Sequence, residues 1–254
     1  MNNYIAFLKK EFLENIRTYK MLIMLLVFLV FGIMNPLTAK MTPDLLNALM
    51  PEGMTITLAE PTAFDSWTQF FKNISQMGLI MMVVVFSGIL GTELSKGTLI
   101  NMLTKGLSRG AVILSKYTCM SLIWTTSIII SFLVTWGYTI YLFPSDEIVN
   151  LLFSVFCLWL FGIFLLALLM FSATLAQNNY GCLLITGVGV VICMLCNIIP
   201  AAYKYNPLSL ASKNMDLITD TVEASSLYYC IWIASILSLV FIVSAVLIFR
   251  KKQL

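Results

Sequence analysis

Six apolar runs, each long enough to cross a lipid bilayer, constrain the fold of this chain more than any other feature. The hydrocarbon core of a bilayer is about 30 Å thick, and a helix of about 20 apolar residues crosses it. Of the 254 residues, 60% are hydrophobic and 11% are charged, whereas soluble domains contain about 25% charged residues. We therefore predict an all-α polytopic membrane protein with six transmembrane helices, forming one domain over residues 1–254 in contact with the lipid bilayer.

The boundaries of the runs give a predicted order of segments along the chain. The predicted spans cover residues 21–38, 74–92, 116–143, 151–176, 181–200 and 227–249. Residues 39–73 and 201–226 form polar connections on one side, and residues 93–115 form a basic loop on the other. Asn35 and Pro36 are expected to end or kink the first span, because proline interrupts helical hydrogen bonding. The aromatic residues within 63–73 predict an interfacial belt, and a substrate site is the alternative.

Residues 1–20 precede the first apolar run and predict an amphipathic interfacial helix. Apolar residues recur at helical spacing, and charged residues project the other way: Ile5, Leu8, Phe12, Ile16 and Tyr19 against Lys10, Glu14 and Arg17. Such a helix lies in the headgroup plane, with its apolar face toward the acyl chains.

Basic residues are distributed unevenly between the segments, which predicts the orientation of the chain. Eleven of the fifteen lie in the terminal segments and at residues 93–116, namely Lys9, Lys10, Arg17, Lys20, Lys96, Lys105, Arg109, Lys116, Arg250, Lys251 and Lys252. Loops rich in lysine and arginine stay in the cytoplasm. We therefore expect a multi-pass protein of the plasma membrane with both termini in the cytoplasm.

The spans themselves lack the groups that several functions require. No Asp, Glu, Lys, Arg or His occurs away from the ends of a predicted span, whereas ion-coupled transporters place such groups at mid-membrane and channels need a polar ring. The chain has no histidine, no Gly-Lys dipeptide of a phosphate-binding loop, and one isolated C-x-x-C at Cys193 and Cys196, so we predict no catalytic, cofactor or metal site. The net charge of +3 gives no indication of nucleic-acid binding. Energy for any transport must come from another polypeptide.

The basic loop has a helical pattern of its own. Leu99, Met102 and Leu103 fall at positions i, i+3 and i+4, which predicts a short helix from about residue 96 to 104 with one apolar edge. Gly106 is a suitable stop, and Ser108 can cap the helix that follows. A short helix here would be a contact for a soluble partner, but an ordinary basic loop fits the same residues.

The loop sequence E-L-S-K-G-T-L-I-N-M-L-T-K-G-L-S-R resembles the permease subunits of ABC-2 type exporters. The resemblance extends to P-D-L-L-N-A-L-M-P-E-G-M-T-I and D-S-W-T-Q-F-F-K-N-I before the second span, and it covers the whole chain. In that family an acid precedes G-T-L, and the small helix after it docks into a separate ATPase. The resemblance assigns the acid to Glu93, the coupling helix to Gly97, Thr98, Leu99, Met102 and Leu103, and the loop anchor to Ser108 and Arg109. Many members have proline at the position of Gly106.

The resemblance also implies partners and a mechanism. It implies a transporter in a bacterial plasma membrane, made of this chain, a second permease half that is identical or related, and two cytoplasmic ATPase subunits that bind ATP and Mg²⁺. The ATPase subunits would drive the two permease halves between inward- and outward-facing states. We expect an amphipathic peptide cargo, such as a toxin or antimicrobial peptide, exported from the cytoplasm or extracted from the membrane. Efflux of hydrophobic drugs and a non-transporting anchor or sensor are the alternatives. Gly187 and Gly189 are candidates for the dimer seam, although flexibility of a lipid-facing helix explains them equally well.

Overall fold

A computed structural model describes residues 2–49, 60–95, 97, 99, 103–104, 107–143, 148–176, 178–199 and 204–252. An N-terminal helix covers Asn2–Arg17. The long helices that follow are Lys20–Leu49, Arg109–Leu142, Leu151–Ala176, Asn179–Cys196 and Tyr228–Lys251. The shorter elements are the α-helices Ala63–Asn73, Leu79–Phe86, Gly91–Ser95, Ser209–Ser212 and Asn214–Ile218, the π-helix Ile74–Gly78 and the 3₁₀ turn Ala224–Leu227.

Six helical segments of the described chain are long and apolar enough to cross a membrane, which confirms the predicted fold class. In order, spans 1 to 6 are Lys20–Asp44, Ala63–Leu94, Arg109–Leu142, Leu151–Ala176, Asn179–Cys196 and Ala224–Lys251. Most begin or end several residues away from the predicted boundaries, because helical hydrogen bonding continues where the apolar run stops. The N-terminal helix and the end of span 6 both contact the first turns of span 3 and so lie on one side of the bundle, here called the terminal side. The other side is called the opposite side.

The helix of span 1 continues through Pro36 and Pro43 to Leu49, so Pro36 does not end it, and the predicted alternative of a kink at Pro36 stays a prediction. Proline lacks the N–H that would bond to the carbonyl four residues earlier, which here belongs to Gly32. The hydroxyl of Thr135 in span 3 donates to that carbonyl at 3.2 Å instead. A neighbouring helix thus satisfies the group that Pro36 leaves unpaired, as membrane helices require.

Span 2 begins eleven residues before the predicted apolar run. The Asp65 carboxylate accepts a hydrogen bond of 2.9 Å from the backbone N–H of Thr62 and so caps the first turn. The aromatic side chains of this part do not form an exposed belt: Trp67, Phe70 and Phe71 are buried in the core. The belt prediction is therefore wrong, because these rings face neighbouring helices.

Spans 3 and 4 pack closely together at Gly162. A Cβ atom placed on Gly162 would lie 2.2 Å from Cε2 of Trp124, so only glycine allows the indole ring to reach the span 4 backbone. The same ring donates through Nε1 to the carbonyl of Trp159 at 3.1 Å. Span 5 packs chiefly against span 4 and leaves a broad apolar face exposed, which includes Leu184 and Val188.

The N-terminal helix packs mainly against span 3 at the terminal side, with further contacts to span 1 and an ion pair to Glu93 of span 2. Ile5, Ile16 and Tyr19 of the predicted apolar face point away from the protein, which suits contact with lipid. The face toward the bundle carries Phe7 and Glu11, both buried. The polar side of this helix was expected to face solvent, but it places a buried carboxylate against the bundle. Tyr19 adopts a left-handed backbone, φ 61°, where the chain turns into span 1.

Candidate functional site

A buried cluster of charged side chains joins the N-terminal helix to spans 2 and 3 at the terminal side. Glu93, near the end of span 2, is 5% exposed. Its carboxylate pairs with the ammonium groups of Lys10 at 2.5 Å and Lys116 at 2.8 Å. The acid that the family resemblance singled out therefore links three helices. We call Lys10, Glu11, Glu14, Glu93 and Lys116 the charge cluster.

Lys116 is the central cation of the charge cluster. It lies two turns into span 3 and is 1% exposed, and its Nζ is 2.9 Å from Glu11 Oε2 as well as 2.8 Å from Glu93 Oε2. Burying a charge costs several kcal/mol unless close partners compensate for the lost hydration. Two carboxylates compensate for this one, so Lys116 holds Glu11 and Glu93 together.

Lys10 closes the charge cluster from the N-terminal helix. It contacts Glu11 at 3.0 Å and also pairs with Glu14 one turn further along the helix. Burial disfavours the ammonium form, but hydrogen bonds to Glu14 and Glu93 outweigh it and raise the pKa of Lys10 above its ordinary value. Lys10 is therefore charged at all physiological pH values.

The three carboxylates of the charge cluster also lie close enough together to be considered as metal ligands. Glu11, Glu14 and Glu93 have oxygens within 4.8 Å of one another. The ammonium groups of Lys10 and Lys116 already pair with these carboxylates. The arrangement is that of an ion-pair network, which supplies the compensating charge that a cation would otherwise bring.

The loop after Glu93 is attached to the bundle by its apolar residues. Leu99 is fully buried in the core, and Leu103 packs against the core while partly exposed. Gly97 has a left-handed backbone, φ 66°, which glycine adopts without strain. Leu99 therefore anchors the loop within this chain and offers no surface to a partner, whereas Thr104, later in the loop, is exposed. Of the predicted coupling residues, Thr98 and Met102 lie outside the described residues, as does Gly106.

The predicted loop anchors Ser108 and Arg109 lie at the start of span 3. Ser108 accepts a hydrogen bond of 3.2 Å from the backbone N–H of Ala111 and is the N-cap. Arg109 Nη1 donates to the carbonyls of Phe249 at 3.0 Å and Arg250 at 3.1 Å, and to that of Lys252. These carbonyls lack partners within the last helical turn, so Arg109 ties the end of span 6 to the loop.

The two glycines proposed for a dimer seam have different surroundings. A Cβ atom on Gly189 would lie 2.7 Å from Leu168 Cδ2, whereas one on Gly187 would meet nothing within 4 Å. Gly189 thus permits close packing of spans 4 and 5 in one chain. Gly187 lies on an open surface, and its part in a seam stays a prediction.

Sequence reasoning missed the partners of Glu93. It placed Lys10 on a solvated face and counted Lys116 among the loop cations. Lys10 lies 83 positions before Glu93 and Lys116 lies 23 positions after it, and helical periodicity does not relate residues so far apart in sequence. One signal was present: Phe7, Glu11 and Asn15 recur every fourth residue and therefore share one helical face, distinct from the exposed Ile5 and Ile16.

The fold and the site define a polytopic membrane protein whose N-terminal helix and first basic loop are fixed to the transmembrane bundle by buried ion pairs. Residues 5–254 match the sequence model of the ABC-2 family transporter proteins, and the chain belongs to this family. It is therefore a transmembrane component of an ABC transporter, a family whose membership implies a partner ABC ATPase. It is also similar to the "Uncharacterized transmembrane protein YxlG" of Bacillus subtilis (strain 168), with 19% identity over 217 residues that cover 84% of each chain.

Proposed function

We propose that this chain is one permease half of an ATP-driven exporter, in which two cytoplasmic ATPase subunits with ATP and Mg²⁺ act on residues 93–109. The family supports a permease, and the charge cluster is the observation that carries the coupling role. Glu93 begins the loop and is paired with the N-terminal helix through Lys10 and with span 3 through Lys116. The positive-inside rule puts this terminal side in the cytoplasm.

The contacts give the loop a path to several helices. A displacement of the loop acts on Leu99 in the core and on Glu93 at the end of span 2. Through Lys116 it acts on span 3, and through Arg109 on the end of span 6. Paired buried charges resist separation, because parting them leaves each uncompensated. The terminal ends of these helices therefore move together, as alternating access between two permease halves requires.

A second permease half is required to enclose a pathway, and span 5 is the proposed contact. Its exposed apolar face includes Leu184, Val188 and Leu195. Gly187 lies at the edge of this face, where span 5 borders an apolar cleft, and permits a close approach by another helix. A homodimer and a heterodimer would both use this face.

The proposed cargo is an amphipathic peptide, such as a toxin or antimicrobial peptide, since the spans present apolar side chains without mid-membrane charge. Hydrophobic drug efflux is the alternative. Proteoliposomes containing the chain and its ATPase should hydrolyse ATP faster with a synthetic Lys/Leu amphipathic helix than with an uncharged hydrophobic dye. Stimulation by the dye alone would select drug efflux. No stimulation by any amphiphile would favour the anchor or sensor.

The ATPase contact is tested by purification of the tagged chain from its native membrane. An ABC ATPase should copurify and should be lost with Thr104→Arg, since Thr104 is exposed on the loop. Thr18→Arg is the matched control, because Thr18 is also exposed at the terminal side but lies outside the loop. Retention of the ATPase by both variants, or absence of any ATPase with the unaltered chain, would contradict the proposed contact.

The coupling role needs a separate readout. Glu93→Gln keeps the size of the side chain and removes its charge, so we expect the ATPase to remain bound while cargo-stimulated hydrolysis falls. Unchanged stimulation would remove the charge cluster from the coupling path.

A further inference from the structure

An open cleft lies between spans 2, 4 and 5 near the opposite side of the bundle, and the short helices 209–218 close its upper end. Its volume is about 820 Å³, which is within the range of small-molecule sites. Most of the wall is apolar, with Leu79 and Val83 on span 2 and Leu165 on span 4. Exposed residues such as Ile80 lie along its margin, so the cleft opens sideways to where the acyl chains of a bilayer would be.

Asn214 in the wall of the cleft has an unsatisfied hydrogen-bond acceptor. Its side chain is 1% exposed, and Nδ2 donates to the carbonyl of Ala211 at 3.0 Å. That bond fixes the orientation of the amide, because only the nitrogen can donate to a carbonyl. Oδ1 is buried and has no partner among the described residues. A buried acceptor without a partner is costly, so this atom would be stabilised by a ligand that donates a hydrogen bond.

Lys72 supplies positive charge at the same end of the cleft. It lines the cleft, is exposed, and forms no ion pair with a described acidic side chain. The apolar run of span 2 starts two residues later, so Lys72 lies at the headgroup boundary. Eleven helical residues separate it from Val83, a rise of about 17 Å, and half of the hydrocarbon core is about 15 Å. The cleft therefore has the depth of one leaflet.

We propose that this cleft binds a phospholipid with a primary-amine headgroup, as in phosphatidylethanolamine, taken from the surrounding leaflet. The phosphate pairs with Lys72, the ammonium donates to Asn214 Oδ1, and the acyl chains follow Leu79 and Val83. A choline headgroup has no N–H and therefore leaves Asn214 Oδ1 without a hydrogen bond. A glycerol headgroup has a phosphate for Lys72 but no ammonium for Asn214, and its lipid carries a net negative charge. The inference goes beyond the proposed function and does not depend on an ATPase or on the cargo.

Native mass spectrometry of the purified full-length chain tests this directly. The protein in mild detergent receives equal amounts of palmitoyl-oleoyl phosphatidylethanolamine, phosphatidylcholine and phosphatidylglycerol. A hydrogen bond to a charged donor corresponds to a preference of about ten-fold, so we expect that retention ratio for the ethanolamine lipid over the choline lipid. Equal retention of these two lipids, or a dimer without lipid whose contact closes the cleft, would overturn the proposal. The unaltered protein suffices, so this outcome does not depend on folding of a variant.

Two variants separate the headgroup contacts. Lys72→Gln should lower retention of the ethanolamine and glycerol lipids together, because both carry phosphate. Lys40→Gln is the matched control, since Lys40 is exposed on span 1 and does not line the cleft. Asn214→Leu should abolish the preference for ethanolamine over choline while phosphate-dependent binding persists. If Lys72→Gln behaves like Lys40→Gln, or if Asn214→Leu keeps the preference, the assignment is wrong.

Discussion

Replacement of Lys116 by Met is the most informative perturbation of the charge cluster. Methionine preserves an unbranched side chain of similar length but leaves Glu11 and Glu93, which are 1% and 5% exposed, with Lys10 as their only cation in the charge cluster. Each ion pair at 2.8–2.9 Å has a Coulomb attraction of roughly 6 kcal/mol at an effective dielectric constant of about 20. Dehydration of the charges offsets most of this attraction, and removal of one buried partner costs about 3–5 kcal/mol.

The free energy of unfolding in mixed micelles, measured by denaturant titration, should therefore fall by about 3–5 kcal/mol for Lys116→Met. Lys40→Met is the control, because an exposed substitution changes stability by about 0.5 kcal/mol at most. The double variant Lys116→Met with Glu11→Gln removes one charge of each sign, and it should be less destabilised than the sum of its single variants. If Lys116→Met were no worse than the control, or the double variant strictly additive, the charge cluster would not hold these helices together.

Two further perturbations address other contacts in the bundle. Gly162→Ala should destabilise the protein by about 1–3 kcal/mol, because its Cβ would overlap the Trp124 ring. The control Gly137→Ala has open space around it and should be neutral or stabilising by about 0.5–1 kcal/mol. Thermal unfolding in detergent compares the two variants, and an equal effect would refute the packing argument. Arg109→Ala should speed hydrogen exchange of the last turn of span 6, around Phe249, while leaving span 4 protected; unchanged exchange there would show that these hydrogen bonds do not restrain the helix end.

The sequence contains enough information for the fold class but not for the geometry of the charge cluster. Hydropathy identifies six spans because each must provide a continuous apolar surface to lipid. It does not locate helix ends, since the Asp65 cap extends span 2 and the Thr135 hydroxyl carries span 1 past Pro36. Both effects depend on tertiary neighbours or on local hydrogen bonds that a hydropathy average does not contain.

Glu93 illustrates what a family resemblance adds and where it stops. The resemblance marked the acid before G-T-L, and the structure gives it partners on the N-terminal helix and span 3. Those partners were not predictable, because lysine at a span end fits the positive-inside rule whether it is solvated or paired. Leu99 was expected on the edge of the loop helix that faces a partner, yet it is buried. An apolar edge on a short helix can pack against the transmembrane bundle of the same chain as well as against another protein.

The position of the charge cluster along the chain also sets an order for its assembly during synthesis. Lys10 and Glu11 leave the ribosome first, more than eighty residues before Glu93 and over a hundred before Lys116. Their helix can rest on the membrane surface in the meantime through Ile5 and Ile16. Glu93 becomes available as a partner once span 2 has been made, and Lys116 only after the first two turns of span 3 have been made. The complete charge cluster can therefore form only after the N-terminal helix, span 2 and the start of span 3 have all been made.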